Sequence, residues 1–404
     1  MRRGLSSILA VLFSCQLCVL VFGQGRIDGA SESPWHLEPR TIAPASPALG
    51  SDLSAGGEQD PEPPPLPPDP TILPEFTMPA PPKSVRPVVR GIYATGYSAG
   101  SSKKLGEILT FIGKTEVNAL VVDVKDDSGT LSYVSSVPLA RRIGAGRAKF
   151  SPEKLIGLLQ QANVYPIARI VVFKDPILAA KRPDLAVKSK AGGLWRDRKG
   201  LCWVDPHNRE VWQYVVDVAK EAAAKGFREI QFDYVRFTSD GKLSDCVYPF
   251  ATGQRKADVI KDFLLFARQQ LKPLGVEVSA DVFGLTCSAQ DDLGIGQRLE
   301  PIAAAVDIIS PMVYPSHYER GTYGIQDPDL APYETVLASL KAATSRVTGL
   351  GVRLRPWLQD FSLRNKYGRA QLMSQIKAVY DAGLTEWIFW NPGNTYNSAN
   401  YNAE

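Results

Sequence analysis

From about Val88 onward, the chain alternates short apolar runs with longer stretches whose apolar residues recur every three or four positions. The short runs are GIYATGY (91–97), ALVVDV (119–124), PIARIVV (166–172), EIQFDYV (229–235), VEVSADV (276–282), DIISPMVY (307–314), RLRPWLQ (353–359) and EWIFWN (386–391). Their length and content of Val, Ile and aromatic residues predict strands. Between them lie SPEKLIGLLQQA, REVWQYVVDVAKEAAAKG, RKADVIKDFLLFARQQL, PYETVLASLKAA and RAQLMSQIKAVYDAG, which read as amphipathic helices, several of them ending at Gly. Strands alternating with helices imply parallel pairing and right-handed crossovers. Eight such units predict an α/β fold, a closed (β/α)8 TIM barrel over residues 88–404. An open doubly wound sheet is the rival, but no GxGxxG follows the first strand. Little chain remains after the eighth strand, so the last helix is expected to be short or missing.

The residues before Val88 have a different texture. The stretch MRRGLSSILAVLFSCQLCVLVFG is basic, then apolar, then small, the pattern of a signal peptide over 1–23. An uncleaved membrane anchor is the alternative, and it would be the one tether to a membrane. Residues 24–87 contain PEPPPLPPDP and PAPPKSVRP, a proline density that cannot build a packed core. They read as a disordered Pro-rich linker. The expected location is secreted or associated with the cell envelope.

Polar residues inside the apolar runs are the chemically informative feature. In a barrel, alternate strand residues point inward. By that parity Gln231 and Asp233 face the interior on strand four, and Glu277, Ser279 and Asp281 on strand five. Asp123 on strand two and Arg169 on strand three also point in. Most lie toward the C-terminal ends of their strands, where such barrels carry their sites. A structural ion pair is the competing reading for any one of them. Other strand ends add Tyr97, Lys125, Arg236, Tyr314, His317, Gln359, Trp390 and Asn391 as candidate substrate ligands, and Trp195, Trp203, Trp357 and Trp390 as flat apolar faces. Carboxylates, amides and rings together suit a sugar, with its apolar C–H faces and its rim of hydroxyls.

Glycoside hydrolysis needs two carboxyl groups. Asp233 and Asp281 end neighbouring strands at similar height, and adjacent strands lie about 4.8 Å apart. That spacing suits the roughly 5 Å separation of a retaining pair. Asp233 is therefore the expected nucleophile and Asp281 the expected acid/base. Asp123 could bind substrate or make a wider inverting pair.

Charge and cysteines narrow the rest. The formal charge of the 404 residues is +4, too balanced to imply a nucleic-acid partner. No GxSxG, P-loop or HExxH occurs, the three histidines are scattered, and no metal or other cofactor is expected. Removal of the first segment leaves Cys202, Cys246 and Cys287, enough for one internal disulfide at most.

Several motifs resemble those of a known family: RGIYATGYSAG (90–100), NALVVDVKDDSGTLSY (118–133), EIQFDYVRFTSDG (229–241), SADVFGLT (279–286), LGIGQRLEPIAAAVDIISPMVYPSHY (293–318), WLQDF (357–361) and WIFWNPGNTY (387–396). They resemble the bacterial putative glycoside hydrolase family, a (β/α)8-barrel domain classed as of unknown function. Thr238 stands where that family usually has proline. The resemblance covers about residues 88 to 400 and implies a carbohydrate substrate, a polysaccharide or oligosaccharide. Similarity to other barrel glycosidases, which carry a catalytic carboxylate at the end of strand four, points to Asp233. Two functional readings stand: an exported hydrolase of an envelope or matrix polysaccharide, and a tethered glycan-binding barrel without catalysis.

Overall fold

A computed structural model describes residues 86–403. The expected signal segment and nearly all of the linker lie outside the described residues. Eight parallel strand positions close into a barrel: β1 (Arg90–Ala94), β2 (Ala119–Lys125), β3 (Tyr165–Val171), β4 (Glu229–Asp233), β5 (Glu277–Phe283), β6 (Ile308–Met312), β7 (Arg353–Leu354 and Trp357–Gln359) and β8 (Trp387–Trp390). Each pairs with its sequence neighbours, and β8 pairs with β1 through Arg90–Trp387 and Gly91–Ile388. The first run ends as a strand at Ala94, and Tyr97 sits in a short helix beyond it, Gly96–Gly100. The seventh is broken at Arg355-Pro356, because proline carries no amide hydrogen for the ladder. No α-helix follows β8 among the described residues; the chain closes with one 3-10 turn, Ser398–Asn400.

The main outer helices are α1 (Ser102–Ile112), α2 (Pro152–Gln161), α3 (Arg209–Ala224), α4 (Lys256–Leu271), α5 (Leu299–Ala303), α6 (Pro332–Val347) and α7 (Arg369–Asp381). Local chemistry sets their starts. The Ser151 side chain accepts from Lys154 N–H with Pro152 at the first position, and Asn208 Oδ1 accepts from Glu210 and Val211 N–H. After α3 the chain turns at Gly226, whose φ of 107° suits glycine and whose Cβ, if present, would stand 2.9 Å from Ile156 Cγ2.

Strand parity divides the core. Leu120, Val122, Ile170, Ile230, Phe232, Val278 and Val282 pack outward with the helices in one large apolar cluster. A smaller cluster inside the barrel joins Val89, Tyr93, Ala119, Val121, Ile167, Tyr314, Trp357 and Ile388. The N-terminal mouth is filled by charge. Glu229 and Arg355 have no side-chain exposure and pair directly, with Arg355 Nη1 donating to Glu229 Oε2 at 2.9 Å. Ser279 Oγ adds a bond to Glu229 at 2.5 Å. Arg86 closes over them, with its Nε 2.8 Å from Glu277 and its guanidinium on Glu386. Burial alone would raise the Glu229 pKa, but the Arg355 charge and the bonds from Arg355 and Ser279 outweigh it and hold the carboxyl below its usual range.

Segment 173–208, after β3, folds on itself. It carries a short helix (Pro176–Lys181), and its strand Lys188–Ser189 pairs antiparallel with Cys246–Val247 from the loop after β4. Cys202, Cys246 and Cys287 are all free thiols.

Candidate active site

The C-terminal mouth opens into a cleft with about 740 Å3 of empty space, part of it open to solvent. Six of the eight strands or their following turns line it. Arg169 comes from β3, Asp233 with Tyr234 and Arg236 from β4, and Asp281 and Phe283 from β5. Met312, Tyr314 and His317 come from β6, Trp357 and Phe361 from β7, and Trp390 and Pro392 from β8.

Asp233 and Asp281 sit side by side. The β4–β5 register sets Phe232 opposite Ala280, so the next residue on each strand, Asp233 and Asp281, falls level. Adjacent strands stand about 4.8 Å apart. Arg169, from the strand on the other side, joins Asp233 to Asp123. Its Nε donates to Asp233 Oδ2 at 3.0 Å and its Nη1 to Asp123 Oδ1 at 2.6 Å. Burial would lower the Arg169 pKa, but Asp233 and Asp123 together raise it. Tyr234 N–H donates to Asp233 Oδ1 at 2.6 Å from a left-handed conformation, φ 49°. Such a φ is uncommon for a bulky residue and is held by its surroundings.

Asp281 lies deeper. Its Oδ1 accepts from Gln231 Nε2 and from Trp357 Nε1, each at 2.8 Å. Burial first, and the neighbouring Asp233 charge second, push its pKa well above the ordinary carboxylate range. Both causes favour the protonated form of this carboxyl. With Oδ1 engaged by two N–H donors, Oδ2 is the oxygen left to carry the proton.

Aromatic rings frame the pair. Trp390 stacks on Tyr93 with centroids 3.9 Å apart, and Trp357 meets Trp390 edge-on at 5.6 Å. The Arg236 guanidinium lies 4.9 Å from the Trp203 and Tyr234 ring centroids and 4.8 Å from that of Phe283. His317 Nδ1 bonds Ser316 Oγ at 2.9 Å, and burial, then the Arg364 charge, lowers its pKa to about 4. It faces the cleft as a neutral imidazole.

The cleft thus gathers Arg169, Asp233, Arg236, Asp281, Tyr314, His317, Trp357 and Trp390 from the residues expected in sequence. The others are placed elsewhere. Asp123 lies beneath Arg169, takes a bond from Tyr93 Oη at 2.5 Å and is raised in pKa by burial. Lys125 is wholly buried, with Nζ on Val171 O at 2.7 Å and Asp175 at 3.0 Å. Gln359 spans Ser316 N–H and Phe361 O, so it braces two loops. Asn391 holds its own turn through Thr395 O and Gly393 N–H. Tyr97 is exposed on the outer rim. Trp195 donates to Lys242 O and packs in the β3–β4 excursion. Sequence reading missed Tyr234, Phe283, Met312, Phe361 and Pro392 as cleft residues. Each ends a strand or lies within two residues after one, and that position is the signal that could have found them. No group of three or more His, Cys, Asp or Glu side chains suited to a metal occurs among the described residues.

A family model described as "Putative glycosyl hydrolase domain" matches residues 91–396. No curated protein matches the chain. The glycoside hydrolase domain of PgaB (BpsB) from Bordetella bronchiseptica superposes with a TM-score of 0.58 over 76% of this chain and 95% of its own, at 14% identity. That likeness shows the fold. A hypothetical protein from Ruminiclostridium thermocellum is 41% identical over 50% of this chain and 98% of its own, with a TM-score of 0.45.

Proposed function

The chain belongs to the putative glycosyl hydrolase domain family, and from that premise we propose that it is an exported hydrolase of a polysaccharide, acting by a retaining mechanism with Asp233 as nucleophile and Asp281 as acid/base. The observation that carries this reading is the asymmetry of two level carboxyl groups in one cleft. Burial and the neighbouring charge favour the protonated form of Asp281, while Asp233 faces a guanidinium and a backbone N–H. Environments that drive two carboxyl groups apart are how one site supplies both an acid and a nucleophile.

In the first step an Asp233 oxygen attacks the anomeric carbon and the bond to the glycosidic oxygen breaks. The Asp281 proton passes to that oxygen, and the leaving sugar departs as an alcohol. In the second step Asp281, now a carboxylate, takes a proton from water as that water attacks the anomeric carbon and releases Asp233. Strand spacing of about 4.8 Å supports the retaining geometry over the wider inverting one. Trp357 and Trp390 offer faces for the C–H side of a sugar ring.

Export rests on the sequence pattern of residues 1–23. The binding-only alternative draws support from one feature: Arg169 and Tyr234 engage both Asp233 oxygens, which restrains a nucleophile.

The two roles separate on leaving-group chemistry. A 2,4-dinitrophenyl glycoside needs no acid in its first step. Asp281→Asn should keep measurable release of dinitrophenol while losing hydrolysis of polymer, and Asp233→Asn should lose both. Equal loss of both activities in the Asp281 variant, or turnover in the Asp233 variant, would overturn the assignment.

A further inference from the structure

We infer that Tyr97 is an outlying sugar platform: a glycan held in the cleft continues over the loops after β1, β2 and β3 and lays a pyranose ring on the Tyr97 ring. This rests on the hydrolase reading and deepens it, because it makes the substrate a polymer that extends well beyond the scissile linkage.

Tyr97 is 70% exposed, the most exposed aromatic side chain among the described residues. A single exposed ring is ordinary on a protein surface; its mounting here is not. The helix Gly96–Gly100 is clamped against segment 132–150. A Cβ on Gly96 would stand 2.1 Å from Ser132 Oγ, and one on Gly100 would stand 1.7 Å from Lys149 O. The Thr95 hydroxyl caps the helix by accepting from Ser98 N–H at 3.1 Å. Lys149, whose side chain is only 4% exposed, places Nζ 4.5 Å from the Tyr97 ring centroid. Its Nζ is in turn fixed by Asp126 Oδ2 at 2.8 Å. A nearly buried cation thus holds the ring from beneath, and the exposed side of the ring is presented to solvent.

A second observation joins this platform to the cleft. Asp127, next to Asp126, pairs with Lys174 Nζ at 3.0 Å. Lys174 Nζ lies 4.9 Å from the Tyr234 ring centroid, and Tyr234 lines the cleft. Ser128, exposed between them, is held by Asp126 Oδ1. The surface between Tyr234 and Tyr97 therefore offers the half-exposed Asp127 carboxylate, set over the buried Lys174 ammonium, and the exposed Ser128 hydroxyl, with an aromatic ring at each end. A pyranose chain offers the complement: hydroxyls along its rim and apolar C–H faces at intervals.

The test uses the full chain carrying Asp233→Asn, so that substrate is bound and not cut. Native affinity electrophoresis is run in gels containing glycol chitin, glycol chitosan, carboxymethyl cellulose, galactomannan or dextran. The expected result is that a polymer retards the Asp233→Asn chain, and that adding Tyr97→Ala weakens that retardation roughly fivefold to tenfold. Tyr97→Trp in the same background should restore it, which a merely unfolded loop would not allow. Equal retardation with and without Tyr97→Ala overturns the platform while leaving the hydrolase reading standing. No retardation of the Asp233→Asn chain by any polymer overturns both.

Discussion

The charge-filled mouth of the barrel gives the sharpest stability prediction. Arg355→Met keeps most of the side-chain volume and removes the guanidinium. Glu229, without side-chain exposure, would keep only the Ser279 hydroxyl at 2.5 Å and Arg86 Nη2 at 3.9 Å. Breaking a buried pair from one side costs about 3–5 kcal/mol, because an uncompensated charge stays inside. In a domain of this size that corresponds to a fall in Tm of roughly 5–7 °C. The pH dependence fixes the cause. In the native chain the Glu229 pKa is lowered, so its contribution is present above the unfolded value and lost as pH falls through the folded one. In the variant, burial without Arg355 would raise that pKa, and stability would instead be lost as pH rises. Urea unfolding at pH 5 and pH 8 should therefore show a larger gap between the two chains at pH 8. The double variant Arg355→Met/Glu229→Leu should recover part of the loss. A single-variant cost below about 1 kcal/mol, or a gap independent of pH, would refute the reasoning.

Three further predictions follow from the site and its scaffold. Carbon-13 titration of the Asp281 carboxyl should find its pKa above the ordinary range and lower in Asp233→Asn, yet still raised, because burial is the larger cause; an unchanged midpoint would remove the coupling. Asp123→Asn takes a charge-assisted partner from Arg169 and should cost about 1.5–3 kcal/mol in urea unfolding. The Arg169 shift that follows should lower kcat by about tenfold to a hundredfold, with unchanged kcat arguing that Arg169 does not position Asp233. Gly226→Ala places a Cβ against Ile156 at φ 107° and should cost about 1–3 kcal/mol, read as a lower urea midpoint.

Much of this was legible in the sequence because strand parity is a strict code. The period of two that set Asp233, Asp281, Asp123 and Arg169 inward required only the apolar positions between them. What parity does not carry is depth. Asp123 and Asp233 both point in, yet Arg169 reaches across and covers one while leaving the other in the cleft. Lys125 lies one pleat above Asp123 and turns back into Asp175, a partner fifty residues on in the chain and invisible to local pattern. The apolar run continues past Ala94, which gives Tyr97 the look of a strand end. Thr95 ended that run by capping a helix, and Gly96 and Gly100 allowed the close approach that fixed it. Arg355 sat in an apolar run beside proline and gave no sign of its partner, because Glu229 is 126 residues away.

The central claim is that Asp233 and Asp281 hydrolyse a glycan together. The most direct test is release of reducing ends from a panel of envelope and extracellular polysaccharides, comparing the native chain with Asp233→Asn at matched folding. The account predicts new reducing ends from at least one polymer with the native chain and none with the variant. Release that survives Asp233→Asn, or no release from any polymer that the Asp233→Asn chain is shown to bind, would contradict it.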